Sequence, residues 1–397
     1  MAPVLLLTQP DIEQKMALLT SQAQVEAVGG DEPHGYVAEP AARAVAEELG
    51  KYLFQPAGSP RGPLVKVFLT DACENDCLYC ACRATRDTPR TAFQPEELAN
   101  AFLDLHRRGR ASGLFLSSGL GGDSRRTMER MLLTVELLRH RHRFPGYIHL
   151  KILPGATDQY LEAACQLADR VSANLEAPNP RRLAALCPHK RFLDDLERPL
   201  HMVAKLRRQG PVLPFGHTTQ FVVGASGESD REILSTTSRL YAEADLTRAY
   251  YSAFRPIPGT PLEDLPPTPL DRQCRLYQAD ALLKGYGFSL DELVLDEEGN
   301  LPAGRDPKLE WALRHPERFP LEVNHASREE LLRVPGIGVR TASRLLRLRR
   351  SGKIGSPHVL SALRLPTSRI APFLTVDGRR LAPEGPPTRA LQLTLPL

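Results

Sequence analysis

Val67–Arg83 reads VFLTDACENDCLYCACR. The apolar run Leu64–Thr70 has strand character, and Cys73-x-x-x-Cys77-x-x-Cys80 follows at once. Iron–sulfur clusters are held by cysteine thiolates, and a fully ligated four-iron cluster takes four of them. Three thiolates at the mouth of a strand hold three corners and leave one iron open to a substrate or cofactor. The competing reading is a structural zinc site. Zinc more often uses two C-x-x-C or C-x-x-H units, whereas Cys77-x-x-Cys80 has no second pair and Cys80-x-Cys82 is a poor knuckle. Cys82 reads as a bystander. Cys165, Cys187 and Cys274 stand isolated in apolar-patterned segments and read as buried thiols.

Outward from this stretch, strand-like and helix-like runs alternate. The strands are Leu64–Thr70, Gly113–Ser118, Tyr147–Leu153, Arg170–Leu175, Thr218–Gly224 and Arg248–Phe254. Helical patterns such as Pro95–Arg108, Thr127–Arg143 and Ala156–Ala168 lie between them. Such alternation implies βαβ units and a parallel sheet. Alternate strand residues face opposite sides. Ile148, Leu150 and Ile152 then face helices, and Tyr147, His149 and Lys151 face the lumen of a barrel. Likewise Ser172, Asn174 and Glu176 point inward, and so does Ser117 near its strand end. Barrel enzymes place their chemistry at the C-terminal strand ends, which is where the cysteine loop lies. His149 and Lys151 are therefore candidates for positioning a substrate or moving protons.

The 397 residues are enough for two or three domains with an ordinary apolar core. Seven cysteines, an odd number, without a secretory signal argue against a disulfide framework. The N-terminus lacks a basic n-region, and no apolar run approaches a membrane span. A reducing cytoplasm is the expected compartment. The net charge of +4 is uneven: Leu321–Leu397 holds thirteen Arg and Lys against five Asp and Glu, a net +8, so the remainder carries −4. That asymmetry predicts a localised anion-binding surface near the C-terminus.

The cysteine spacing, with Tyr79 before the last cysteine, resembles the signature of the radical S-adenosylmethionine (radical SAM) superfamily. The resemblance implies a partial (β/α)6 TIM-type barrel, an α/β fold. It also implies a [4Fe–4S] cluster on Cys73, Cys77 and Cys80, with the amino and carboxylate groups of S-adenosylmethionine on the open iron. Tyr79 would border the adenine. Ser117, Ser118 and Gly119 occupy the position of the family's GGE-type motif, which binds the amino group; this chain has Ser-Ser-Gly there. Ser172, Asn174 and Glu176 would serve the ribose and methionine end. Gly224 lies in Phe221–Glu228, which is similar in its later half to the family's G-x-I-x-G-x-x-E region. The implied reaction is reductive cleavage to methionine and a 5′-deoxyadenosyl radical that abstracts hydrogen from an unreactive C–H bond.

Val323–Arg350, VNHASREELLRVPGIGVRTASRLLRLRR, resembles a helix-hairpin-helix. Ser327 and Glu330 form a capping box, and Pro335-Gly336-Ile337-Gly338 forms the hairpin. Gly336 and Gly338 would let the backbone approach a phosphate, which the second helix faces with its N-terminal amides. Arg340, Arg344 and Arg347 recur on one stripe, extended by Arg349, Arg350 and Lys353. Such groups fix position on a nucleic-acid backbone without reading sequence.

Barrel and hairpin together resemble radical SAM proteins assigned to DNA modification or repair and associated with uracil-DNA-glycosylase-like proteins. The expected partners are DNA, through its backbone, and a reduced flavodoxin- or ferredoxin-type electron donor; no membrane is expected. Two alternatives stay open: a radical enzyme modifying RNA or a nucleotide, and a non-enzymatic iron–sulfur DNA-binding protein. The expected organisation is a helical extension and linker (1–62), the barrel (63–265), a helical connector (266–319), a small all-α helix-hairpin-helix domain (320–374) and a disordered tail (375–397).

Overall fold

The computed structural model describes residues 10–25, 53–54, 63–356, 358–362, 365 and 367–381. The chain divides into two compact units. The first runs to Glu228 and resumes over Arg239–Leu270. The second takes the residues from Asp271 on, together with Ser229–Ser238.

The first unit is built on seven strands: β1 (Leu53–Phe54), β2 (Leu64–Phe68), β3 (Gly113–Ser117), β4 (Tyr147–Lys151), β5 (Arg170–Ser172), β6 (His217–Val223) and β7 (Arg248–Ala253). They lie side by side in chain order. β2 to β7 are all parallel, and β1 is an antiparallel addition on the β2 edge. Six consecutive parallel strands with helical returns form the curled half-barrel expected from the alternation of runs. Every residue of β2, β3 and β6 is buried, as in a parallel sheet covered on both faces.

The returning helices show why each forms. In α2 (Pro95–Arg107), Pro95 opens the first turn, Gln94 and Glu97 form a capping box, and Leu98, Phe102 and Leu103 are buried. Burying each large apolar side chain stabilises by about 1.5–3 kcal/mol. In α3 (Ser124–Glu136), Asp123 caps the Arg125 amide, and Met128, Met131 and Val135 are buried. α4 (Asp158–Leu167), α5 (Pro180–Ala184) and α6 (Arg198–Gln209) return β4 and β5, and α7 (Asp230–Glu243) returns β6.

The segment 1–62 is more than an extension and linker. Its helix α1 (Ile12–Val25) packs on β2 through Met16, Leu19 and Ala23, which are buried. Lys15 pairs with Glu97 at 3.0 Å. Lys66, only 1% exposed inside the barrel, donates to the Ala23 carbonyl and lies 5.4 Å from the Phe115 ring centroid. A buried ammonium needs such an acceptor, so α1 completes the barrel wall. β1, just before the Pro/Gly-rich linker, pairs with β2.

The second unit contains α8 (Leu270–Gly285) and α9 (Pro307–Arg314), and α9 carries Trp311, which is 1% exposed. Trp311 stacks on His315 at 4.3 Å and meets Phe288 edge-on at 5.4 Å. The unit is not all-α. β8 (Leu321–Glu322) pairs in parallel with β9 (Leu374–Val376), which turns back into β10 (Arg379–Arg380). Residues 375–381, read as the start of a disordered tail, therefore belong to this sheet; 382–397 lie outside the described residues. Leu374 and Val376 are buried, and Asp377-Gly378 supplies the two positive-φ residues of a tight hairpin. No helix among the described residues is long and apolar enough to cross a membrane.

Candidate functional site

The loop after β2 carries the cysteines and is tied down along its length. The Gly119 amide donates to Thr70 O at 2.7 Å, Glu74 N to Leu120 O at 2.8 Å and Leu78 N to Leu186 O at 2.8 Å. Arg83 clasps Asp76 with two hydrogen bonds of 2.8 and 2.5 Å. Arg90 donates to the carbonyls of Asp71, Arg83 and Arg86. A side chain at Gly119 would place its Cβ 2.4 Å from Ala72 O, so the backbones after β2 and β3 touch here.

These ties bring Cys73, Cys77 and Cys80 onto one cavity at the C-terminal strand ends, enclosing about 900 Å³ of space that is partly open to solvent. The cavity wall also takes Lys151, Asn174 and Glu176, which the side-chain alternation places inward, and Tyr79, Ser118 and Gly119, which the resemblance alone suggests. Among the described residues, no three His, Cys, Asp or Glu are grouped as ligands of a single metal ion. The three thiols line a shared cavity instead, an arrangement suited to a cluster of several irons more than to one zinc.

Electrostatics separate the three thiols. Cys77 is drawn down to about 7, chiefly by a hydrogen bond from Cys187, which outweighs burial, and then by the Lys190 ammonium. Burial pushes Cys73 up. Cys80 is raised well above the thiol range by its hydrogen bond with Cys82 and by burial. Lys190 is held protonated against its burial by Cys77, Cys187 and Glu176, and it pairs with Glu176 at 3.3 Å.

Several expected residues sit elsewhere. His149 does not line the cavity. It stacks on Phe115 with centroids 3.9 Å apart and shares a 2.9 Å hydrogen bond with Ser172 Oγ. Burial, then the charges of Arg170, Lys151 and Lys66, hold its imidazole far below the ordinary range. His149 and Ser172 thus form a neutral interior pair beneath the cavity. Ser117 is buried off the wall. Gly224 is also off the wall: its amide donates to the Glu228 carboxylate, and its open face meets Thr268. Gln220 and Val222 of the same strand line the cavity instead.

Other wall residues gave no sequence signal. Gln22 arrives from α1 and accepts from Cys82 Sγ at 3.7 Å. Lys190 comes from the loop after α5. Cys187 is buried as expected but bonds to Cys77, and Cys82 is no bystander, since its amide donates to Cys80 Sγ at 3.4 Å. Cys165 and Cys274 are buried thiols.

In the second unit, Ser327 caps α10 (Arg328–Arg333) with a full capping box. Val334–Gly338 then turns into α11 (Val339–Ser351), with Gly336 at φ +88°. Lys308 donates to Ile337 O at 2.5 Å and fixes the turn from beneath. Gly338 is the N-cap and leaves the first amides of α11 without a side-chain cap. Arg340, Arg344 and Arg347 are exposed and have no hydrogen-bond or ion-pair partner among the described residues. Arg349 instead turns inward to Ala326 O at 2.5 Å, and Lys353 pairs with Asp377, so neither extends the stripe freely.

Residues 67–240 match the sequence profile of the Radical SAM superfamily. The threonylcarbamoyladenosine tRNA methylthiotransferase MtaB of Thermotoga maritima is 26% identical over 206 residues, which cover 48% of this chain and 43% of that protein. The chain thus spans less than half the length of this curated relative. Among solved structures, the [FeFe]-hydrogenase maturase HydG of Carboxydothermus hydrogenoformans is 15% identical, covering 55% of this chain and 51% of that one, with a TM-score of 0.45. Methylornithine synthase (PylB) is 13% identical, covering 69% and 76%, with a TM-score of 0.46. A radical SAM methyltransferase of Sphaerobacter thermophilus is 16% identical, covering 68% and 86%, with a TM-score of 0.44. Profile, cysteine spacing and half-barrel agree over residues 67–240, and the superfamily whose profile this segment matches consists of enzymes that use a [4Fe–4S] cluster and S-adenosylmethionine.

Proposed function

We propose that this protein is a radical SAM enzyme that modifies a nucleic acid, with RNA as the favoured substrate. The observation that carries the proposal is the set of three thiols lining one cavity together with Lys151, Asn174 and Glu176. Cys73, Cys77 and Cys80 would hold the cluster, and the donor set fits: three soft thiols, with no fourth cysteine on that wall except Cys82, whose amide serves Cys80. Bound there, the two cofactors supply one-electron hydrogen-abstraction chemistry.

The chain's own contribution is positioning and shielding. Lys151, Asn174 and Glu176 would offer hydrogen-bonding groups to the polar parts of the sulfonium cofactor, and the backbone of Ser118–Leu120 lines the same cavity, held against the Ala72 backbone because Gly119 carries no side chain. Lys190 places a positive charge beside Cys77 and offsets the negative charge that three thiolates concentrate. Gln22 and α1 close the cavity beside Cys82 and limit water. His149 acts through packing, not on the substrate.

The choice of substrate rests on two supports. A relative carries a tRNA-modifying name. The turn Val334–Gly338 with Arg340, Arg344 and Arg347 has the glycines, free amides and basic stripe of a phosphate-backbone contact. That contact serves RNA or DNA. DNA modification or repair, the reading suggested by the helix-hairpin-helix resemblance, has no support from the relatives and is the second arm of the test. The electron would come from a small reduced carrier of flavodoxin or ferredoxin type.

The experiment is anaerobic reconstitution with iron and sulfide, reduction, addition of S-adenosylmethionine and measurement of 5′-deoxyadenosine with and without bulk tRNA or duplex DNA. Cleavage stimulated by tRNA is expected. Stimulation by DNA alone would reverse the choice of substrate, and no 5′-deoxyadenosine under any condition would reject the enzyme.

A further inference from the structure

The basic C-terminal segment is not the only concentration of positive charge. Two turns of the barrel, Leu105–Gly113 (LHRRGRASG) and Leu138–Gly146 (LRHRHRFPG), contain six arginines and three histidines. No acidic residue occurs from 105 to 122 or from 137 to 157. The first turn leads into β3 and the second into β4, and these strands pair from their first residues, Gly113 with Tyr147. The turns are packed together: the Phe144 ring meets His106 edge-on at 4.9 Å and Phe102 at 5.0 Å. A Cβ on Gly146 would lie 2.9 Å from Ser112 O.

Arg139 makes the second turn rigid. It donates to Leu167 O, Phe144 O and Gly146 O at 2.9, 2.8 and 2.7 Å and pairs with Asp169 at 2.6 Å. Arg108 pairs with Asp104. The remaining arginines are uncommitted: Arg107, Arg110, Arg141 and Arg143 have no side-chain partner among the described residues, and Arg107, Arg141 and Arg143 are exposed. His140 is exposed beside them.

We propose that these two turns form a second binding surface for the phosphate backbone of a folded RNA, at the strand end opposite the cysteine cavity. Planar guanidiniums match phosphate oxygens bidentately, and held turns present them at little entropic cost. The five residues of β3 and of β4 separate this surface from the cavity, about 17 Å at roughly 3.3 Å per residue. An electron carrier docked here would sit far from the cluster thiols, so the surface does not suit the reductant. A substrate larger than one nucleotide could span that distance. The identity of the polyanion rests on the nucleic-acid reading above; the surface itself does not.

The test compares the full-length protein with the triple variant Arg107→Ser/Arg141→Ser/Arg143→Ser and with Arg340→Glu/Arg344→Glu, measuring affinity for bulk tRNA from 50 to 300 mM salt. Each lost phosphate contact lowers the salt slope by about 0.7. The triple variant should lose about 2 in slope and roughly 100-fold in affinity at 0.1 M salt, by the same relation. Arg→Lys at the three positions should restore the slope, and unchanged melting would show an intact fold. An unchanged slope in the triple variant, with Arg340→Glu/Arg344→Glu weakened, overturns this surface and leaves the functional reading standing. Wild-type protein that binds no tRNA overturns both. Loss of binding to phosphatidylglycerol vesicles with tRNA binding intact, or loss confined to duplex DNA, also overturns the RNA assignment.

Discussion

Replacing Gly119 by alanine tests how tightly the cysteine loop is built against its neighbour. The new methyl carbon would lie 2.4 Å from Ala72 O, 3.1 Å from Ala72 C and 3.2 Å from Thr70 O, all backbone atoms. An ordinary carbon–oxygen contact needs about 3.4 Å, so the two backbone segments must part by roughly 1 Å. Neither has room to give: Gly119 N holds Thr70 O at 2.7 Å, and Glu74 N holds Leu120 O at 2.8 Å. Overpacking of this kind costs about 1–3 kcal/mol, and 2 kcal/mol corresponds to about 4–8 °C in melting temperature for a unit of this size. Cys73 lies between those two ties, so iron retention should fall with stability. Gly121→Ala is the internal control, since its methyl would come closest to the Thr70 Cγ2 methyl at 3.2 Å and would meet Ala72 Cβ and O only at an ordinary 3.7 Å. It should cost less than about 1 kcal/mol. The assay is anaerobic thermal unfolding of both variants with parallel iron and equilibrium-dialysis measurement of S-adenosylmethionine binding. If Gly119→Ala melts with the wild type, or Gly121→Ala proves the more harmful, the proposed contact between the two loops is wrong.

Cys73→Ala, Cys77→Ala and Cys80→Ala should each abolish the visible iron–sulfur absorption after reconstitution, whereas Cys165→Ala should leave it intact; retention in any of the three rejects that ligand. His217 is fully buried, and burial, followed by the Arg207 charge, lowers its pKa to about 4. The unfolded chain protonates it near 6.5, so its contribution is present above pH 6.5 and lost as pH falls towards 4, by at most about 1.4 kcal/mol per pH unit. Urea unfolding at pH 7 and pH 5 should show a smaller loss for His217→Met than for wild type; equal losses would remove the group from the account. Arg340→Glu/Arg344→Glu should weaken nucleic-acid binding and reduce the salt slope by at least about 1.4 for single strands, and an unchanged slope would refute phosphate contact by the stripe. His149→Ala should destabilise the barrel by about 2–3 kcal/mol, through a lost ring stack and a cavity, while S-adenosylmethionine still binds; dialysis showing lost binding in a fully folded variant would return His149 to the cofactor site.

Local patterning made the half-barrel legible. Each of its six parallel strands is a short apolar run bounded by helical pattern, and the observed bounds fall within a few residues of those read from sequence. Period-two alternation also assigned Lys151, Asn174 and Glu176 to the cavity side. It did not separate His149 and Ser172 from these three, because alternation gives the face of a strand and not the height along the barrel axis. Both lie one step below the wall, where hydrogen bonding to each other satisfies them. The small β8–β9–β10 sheet was missed although Leu374-Thr375-Val376-Asp377-Gly378 carries a hairpin signal, because its partner Leu321–Glu322 lies some fifty residues earlier.

The chain's covalent order alone fixed the three-thiol set, the βαβ rhythm and the glycine turn before α11, since each depends on residues near one another in sequence. Only the tertiary structure brought Gln22, Cys187 and Lys190 to the cysteines, turned Lys353 and Arg349 away from the basic stripe, and joined two arginine-rich turns into one face. Those pairings form between segments distant along the chain. What selects them is burial and the need of each buried charge or thiol for a partner, which no local pattern records.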